Sequence, residues 1–104
     1  MTAQWYRFTI SERADFMEAE ATLHLAILAA EGLYGESRVR MDVSYIADET
    51  RSVICIDGAT PTGDATVRIF ASLLSREFGP DGFSVRREAE PSSTIEIAPA
   101  EAAA

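Results

Sequence analysis

The sequence predicts an α+β domain of ferredoxin-like order, β-α-β-β-α-β, with a four-stranded antiparallel sheet and two helices on one face. Three observations carry this. A strand, a long helix and a strand follow one another twice; a tight polar turn, Ala47 to Thr50, joins the two halves; and glycines follow both helical stretches. That order hosts many unrelated functions, so it decides the fold class and leaves the function open.

Trp5 to Ile10 alternates and reads as the first strand. Ser11 is placed to cap the following helix, with Glu12 and Asp15 in the first turn, where negative charge suits the helix dipole. The helix is expected to run to Glu31 and stop at Gly32. Phe16, Ala19, Leu23, Ile27 and Ala30 recur three and four apart and define its sheet-facing side. Leu25 and Leu28 fall away from that side, and with Ala21 and Ala29 they make the middle of the helix apolar nearly all round.

After a Gly-containing loop from Leu33 to Glu36, the stretch Arg38 to Ile46 alternates polar and apolar residues and reads as the second strand. The hairpin turn leads into Arg51 to Asp57, a nearly continuous apolar run suited to a central strand. The second helix starts either at Thr60 with Pro61 or at Thr62 with Asp64, buries Val67, Phe70, Leu73, Leu74 and Phe78, and ends at Gly79 and Pro80. Phe83 to Glu88 is the fourth strand. The expected core joins Phe8, Leu23, Ile27, Ile54, Ile56, Phe70, Leu74, Phe78 and Val85.

Residues 1–90 therefore form one domain and 91–104 a tail. The Ile95 and Ile97 alternation offers a short strand over 94–97, able to add a fifth edge strand in this molecule or in a neighbour, and the alanine-rich end is expected to be disordered. The chain has 104 residues, a formal charge of −8 and no lysine. The missing lysine excludes Schiff-base catalysis and a phosphate-loop lysine from the chain on its own. The negative field disfavours nucleic acid and anionic membranes as partners. No apolar run is long enough to span a membrane and the amino terminus lacks a secretion pattern, so a cytoplasmic protein is expected. Cys55, the one cysteine, lies between isoleucines and reads as a buried structural thiol.

Alternation places Arg7, Arg38, Arg40 and Arg86 on the sheet face opposite the helices, beside Trp5. Forked guanidinium groups next to an indole suit an anionic ligand that carries a ring, and they equally suit cross-strand pairing or a dimer interface. The segment Asp57 to Asp64 sits where a helix start can hold an anion, but it lacks phosphate-loop spacing and its aspartates oppose phosphate. His24 stands alone, with no recognised metal-ligand spacing and no catalytic triad. No catalytic residue, metal or cofactor is expected. The leading reading is a small non-enzymatic, homo-oligomeric binding or protein-interaction module, a dimer first, with Ala21, Leu25, Leu28 and Ala29 at its interface. A small enzyme or ligand carrier of the dimeric α+β barrel kind, with its pocket on the sheet face, is the alternative; nucleic-acid binding through the open sheet comes third.

Overall fold

The computed structural model describes residues 4–89. Its elements in chain order are β1 (Trp5–Ile10), α1 (Phe16–Tyr34), α2 (Glu36–Asp42), β2 (Tyr45–Asp48), β3 (Val53–Asp57), α3 (Pro61–Phe78) and β4 (Phe83–Glu88). The four strands form one antiparallel sheet in the order β2-β3-β1-β4, with β1 and β3 at its centre. This is an α+β fold with an open sheet and three helices. The expected strand at 94–97 and the expected disordered end lie outside the described residues.

The core forms where the apolar stripes of the two long helices meet one face of the central strands. Phe8 and Ile10 of β1, Ile54 and Ile56 of β3, Leu23 and Ala26 of α1, and Phe70 and Leu74 of α3 are all buried together. Phe8 and Phe70 hold their ring centroids 4.7 Å apart in a tilted pair, a geometry that aromatic quadrupoles favour. The Thr22 hydroxyl donates to the Glu77 carboxylate at 2.5 Å and ties α1 to α3 beside this core. Ile27 and Phe78 pack against the cluster from its margin. Val85 does not join it: it pairs with Phe8 in register but sits on an edge strand and remains exposed.

Two expectations about α1 change. The cap of α1 is Asp15, whose carboxylate accepts from the Met17 N–H at 2.9 Å; Ser11 instead accepts from the Arg13 N–H in the turn before it. The helix also runs past Gly32 to Tyr34. Gly35, at φ 95°, is the residue whose backbone leaves the helical region, a conformation that favours glycine, so the chain turns there and not at Gly32.

The largest change is in the segment expected as one strand over 38–46. Residues 36–42 form a helix, and the strand begins only at Tyr45. Two opposite-charge pairs four residues apart, Glu36–Arg40 at 2.7 Å and Arg38–Asp42 at 3.5 Å, support the helical turn, and Val39 is its one buried side chain. Arg51 and Ser52 likewise belong to the hairpin turn, where Asp48 accepts from the Arg51 N–H and Ser52 adopts φ 56°. At the start of α3 the Thr60 and Pro61 alternative holds: the Thr60 hydroxyl accepts from the Gly63 N–H at 2.9 Å. Gly63 has no room for a Cβ because the Asp57 carbonyl lies directly against it.

Candidate functional site

The candidate site is the sheet face turned away from the helices. Side chains alternate across each strand, so the register that sends Phe8, Ile54 and Ile56 into the core sends Trp5, Arg7, Cys55, Val53, Ile46, Arg86 and Glu88 to the other side. Ile46, Val53 and Cys55 form a second buried cluster there, with Trp5 packed against it. Their exposures are 7%, 2% and 0%, although none of the described helices covers this face.

Arg7 and Arg86 stand directly opposite each other in the β1–β4 ladder, a like-charge pairing that by itself is unfavourable. Glu88, opposite Trp5 on the same face, relieves it. Its Oε2 lies 2.8 Å from Arg86 Nη2 and 3.8 Å from Arg7 Nη1. The Arg7 and Glu88 side chains are only 14% and 15% exposed, whereas Arg86 reaches into solvent. Arg7 Nη1 and Glu88 Oε1 are buried and make no hydrogen bond. Burial pushes the Cys55 thiol up to about 11, Arg7 drawing it back and Glu88 adding to the rise, so at neutral pH it is a protonated, weakly nucleophilic group.

Of the five residues expected to bind an anion, three meet on this face: Trp5, Arg7 and Arg86. Arg38 and Arg40 do not, because their segment is helical. Arg38 lies with its guanidinium 5.5 Å from the Tyr34 ring centroid and pairs with Asp42, while Arg40 pairs with Glu36. Glu88, Ile46, Val53 and Cys55 of this face are not among the site residues that the sequence singles out. Glu88 follows Arg86 by two in a strand, which is enough to place both on one side. The Val53 and Cys55 set was legible as the second half of a run apolar on both faces.

Elsewhere the candidates have ordinary roles. In the loop before α3 the Asp57 carboxylate accepts from the Ala59 N–H, and the Thr60 hydroxyl occupies the Gly63 N–H, so oxygens of the chain itself take these amides. His24 lies on α1 with its ring edge-on to Tyr45 at 6.3 Å. Burial raises the Tyr45 phenol, and the Glu20 carboxylate raises it further. Among the described residues no three His, Cys, Asp or Glu side chains gather as metal ligands. A shallow cavity of about 220 Å³ beside Arg13, Phe78, Pro80 and Asp81 is at the other end of β4, by its junction with α3. No described helix is long and apolar enough to cross a membrane.

On the outer side of α1, the residues expected at an oligomer interface, Ala21, Leu25, Leu28 and Ala29, all face away from the core and are exposed. Met17 and Leu33 extend the same surface towards the two ends of the helix. Comparison of the chain with protein-family models, with curated proteins and with solved structures finds no match.

Proposed function

We propose that this protein is a small non-enzymatic interaction module that pairs with a second copy of itself through the outer face of α1. We also read its fold as a ferredoxin-like sandwich with one short helix inserted before the second strand; the strand order and the two long helices packed on one sheet face support that reading.

One observation carries the functional reading. Met17, Leu25, Leu28 and Leu33 are 67%, 58%, 60% and 69% exposed on a single helix, with the exposed Ala21 and Ala29 among them. A lone exposed leucine is ordinary, but a contiguous apolar patch is the usual mark of an interface. A two-fold pairing lays this surface on its own copy, with the small alanines allowing close approach of the helices.

Sedimentation or light scattering of the whole chain tests this. The expected mass is twice that of one chain, and Leu28→Glu is expected to return it to one chain with an unaltered far-UV circular dichroism spectrum. A single-chain mass for the unaltered protein over the accessible concentration range would remove the reading.

A further inference from the structure

We infer that the two copies pair through α1 with their helices antiparallel, about a two-fold axis midway between His24 and Leu25 that sets Met17 against Gly32 of the second copy and Leu28 against its Ala21. This rests on the pairing proposed above and adds its orientation and register.

Met17, Ala21, Leu25, Leu28 and Gly32 follow one another three or four residues apart and are all exposed, so they form one stripe along the outside of α1. The stripe is uneven in size. It is large at Met17, small at Ala21, large at Leu25 and Leu28, and without a side chain at Gly32. Glycine is a poor helix former, and no other part of the described chain lies within 4 Å of the position that a Cβ on Gly32 would take. Packing within the described chain therefore gives no reason for the missing side chain.

A two-fold axis can pair a helix with its copy in two ways. An axis along the helices makes them parallel and sets each residue level with itself. Met17 on Met17 and Leu28 on Leu28 then hold the helices apart, and Ala21 and Gly32 face their own copies across gaps that close packing does not tolerate. An axis across the helices makes them antiparallel and reverses the stripe. Gly32 then lies on Met17 and Ala21 on Leu28, each large side chain against a small residue, while Leu25 meets its copy beside the axis. The sum of sizes is even along the seam, so the helices touch throughout, near the close end of the range at about 8 Å between axes.

Electrostatics favours the same arrangement. Antiparallel helices set the positive amino end of each dipole beside the negative carboxyl end of the other, whereas parallel ones set like ends together. A parallel pair also brings Glu18, Glu20 and Glu31 level with their own copies. The reversed pair sets Glu20 level with Ala29 and leaves Glu18 and Glu31 on opposite edges of the stripe.

The test introduces Met17→Cys, Ala21→Cys, Leu25→Cys and Leu28→Cys singly into the whole chain and follows disulfide-linked pairs under mild oxidation. The unaltered chain, whose Cys55 is buried, gives the background. With a helix rise of about 1.5 Å per residue, this register separates position 25 from its copy by roughly 1.5 Å along the axis, position 28 by roughly 10 Å and position 17 by roughly 22 Å. Leu25→Cys is expected to link with itself roughly tenfold faster or more than Leu28→Cys or Met17→Cys, because a disulfide holds its Cα atoms close together. A mixture of Ala21→Cys with Leu28→Cys is expected to link faster than either alone. Leu28→Cys linking with itself as fast as Leu25→Cys does, in a chain of twice the single mass, overturns the register and leaves the pairing. A single-chain mass for the unaltered protein removes both.

A size exchange tests the register without cysteines. Ala21 and Leu28 stand two turns apart on one helix, so each reaches the other only across the pair, and both are exposed in the single chain. Ala21→Leu is expected to weaken the pair roughly tenfold in sedimentation by crowding Leu28 of the second copy. Adding Leu28→Ala to it is expected to recover most of that loss. No weakening by Ala21→Leu, or no recovery in the double variant, overturns the register.

Discussion

Glu88 offsets the repulsion between two arginines that the sheet register sets face to face, and its own burial makes it sensitive to substitution. Removing one member of a buried ion pair leaves the other charge without a partner, whereas replacing the pair with apolar groups is often neutral. Glu88→Ala is accordingly expected to lower stability by about 3 kcal/mol. Arg7→Met in that background should recover much of the loss, read from urea unfolding midpoints; an unchanged midpoint in Glu88→Ala would show that the pair contributes nothing. Cys55 on the same face gives a pH dependence of known sign. Its folded value of about 11 lies above the ordinary 9.0, so the unfolded chain releases this proton first as the pH rises. The thiol's contribution is complete below the ordinary value and lost as the pH climbs towards about 11. Cys55→Ala should flatten the alkaline fall in stability over that interval, and an identical fall in both proteins would rule out the thiol as its source.

At the scale of the element, α1 shows how a glycine is assigned its role. The sequence reading ends α1 at Gly32, yet of Gly32 and Gly35 only Gly35 takes a positive φ, and neither has an atom near the position a Cβ would fill. Space is thus equal at the two sites and the backbone alone separates them. Gly32→Ala should stabilise the protein by about 0.4–1 kcal/mol, because alanine suits a helix interior and restricts the unfolded chain. Gly35→Ala should destabilise it by about 1–3 kcal/mol through strain at that φ. Thermal unfolding of the two variants checks both signs, and a stabilised Gly35→Ala would show that α1 ends differently. In α2 the alternation of Arg38, Val39, Arg40 and Met41 is real, but it also fits a helix laid on its neighbours by Val39 alone, with ion pairs along its exposed side. Short segments with one buried residue carry both periods, and the packing partner selects between them.

At the scale of the whole molecule, one sheet separates two apolar layers of unequal size. The larger is closed by α1 and α3; the smaller lies on the other face around Cys55. A third apolar surface, the outside of α1, has no cover among the described residues. If that surface pairs copies, folding is coupled to association, so the melting temperature of the unaltered chain should rise with protein concentration while that of Leu28→Glu does not. Concentration-independent melting of both, together with a scattering radius of gyration near the single-chain Cα value of 12.7 Å, would leave the chain a monomer.

The amino-acid sequence by itself determined the order of the long elements. Alternation in β1, the three-and-four spacing of Phe16, Ala19, Leu23, Ile27 and Ala30, and the Thr60-Pro61 start of α3 are local signals strong enough to stand without a partner. It also placed Trp5, Arg7 and Arg86 together, because a strand of period two allows no other arrangement once its buried face is known. What only the tertiary structure decided was the state of residues 36–42, the end of α1 and the charge balance of the open face. The first and the last depend on contacts distant in sequence, α2 against the long helices and the β1–β4 register that brings Glu88 to Arg7, and the end of α1 rests on the positive φ of Gly35. Where local preferences are nearly balanced, long-range packing supplies the deciding free energy, and no window along the chain contains it.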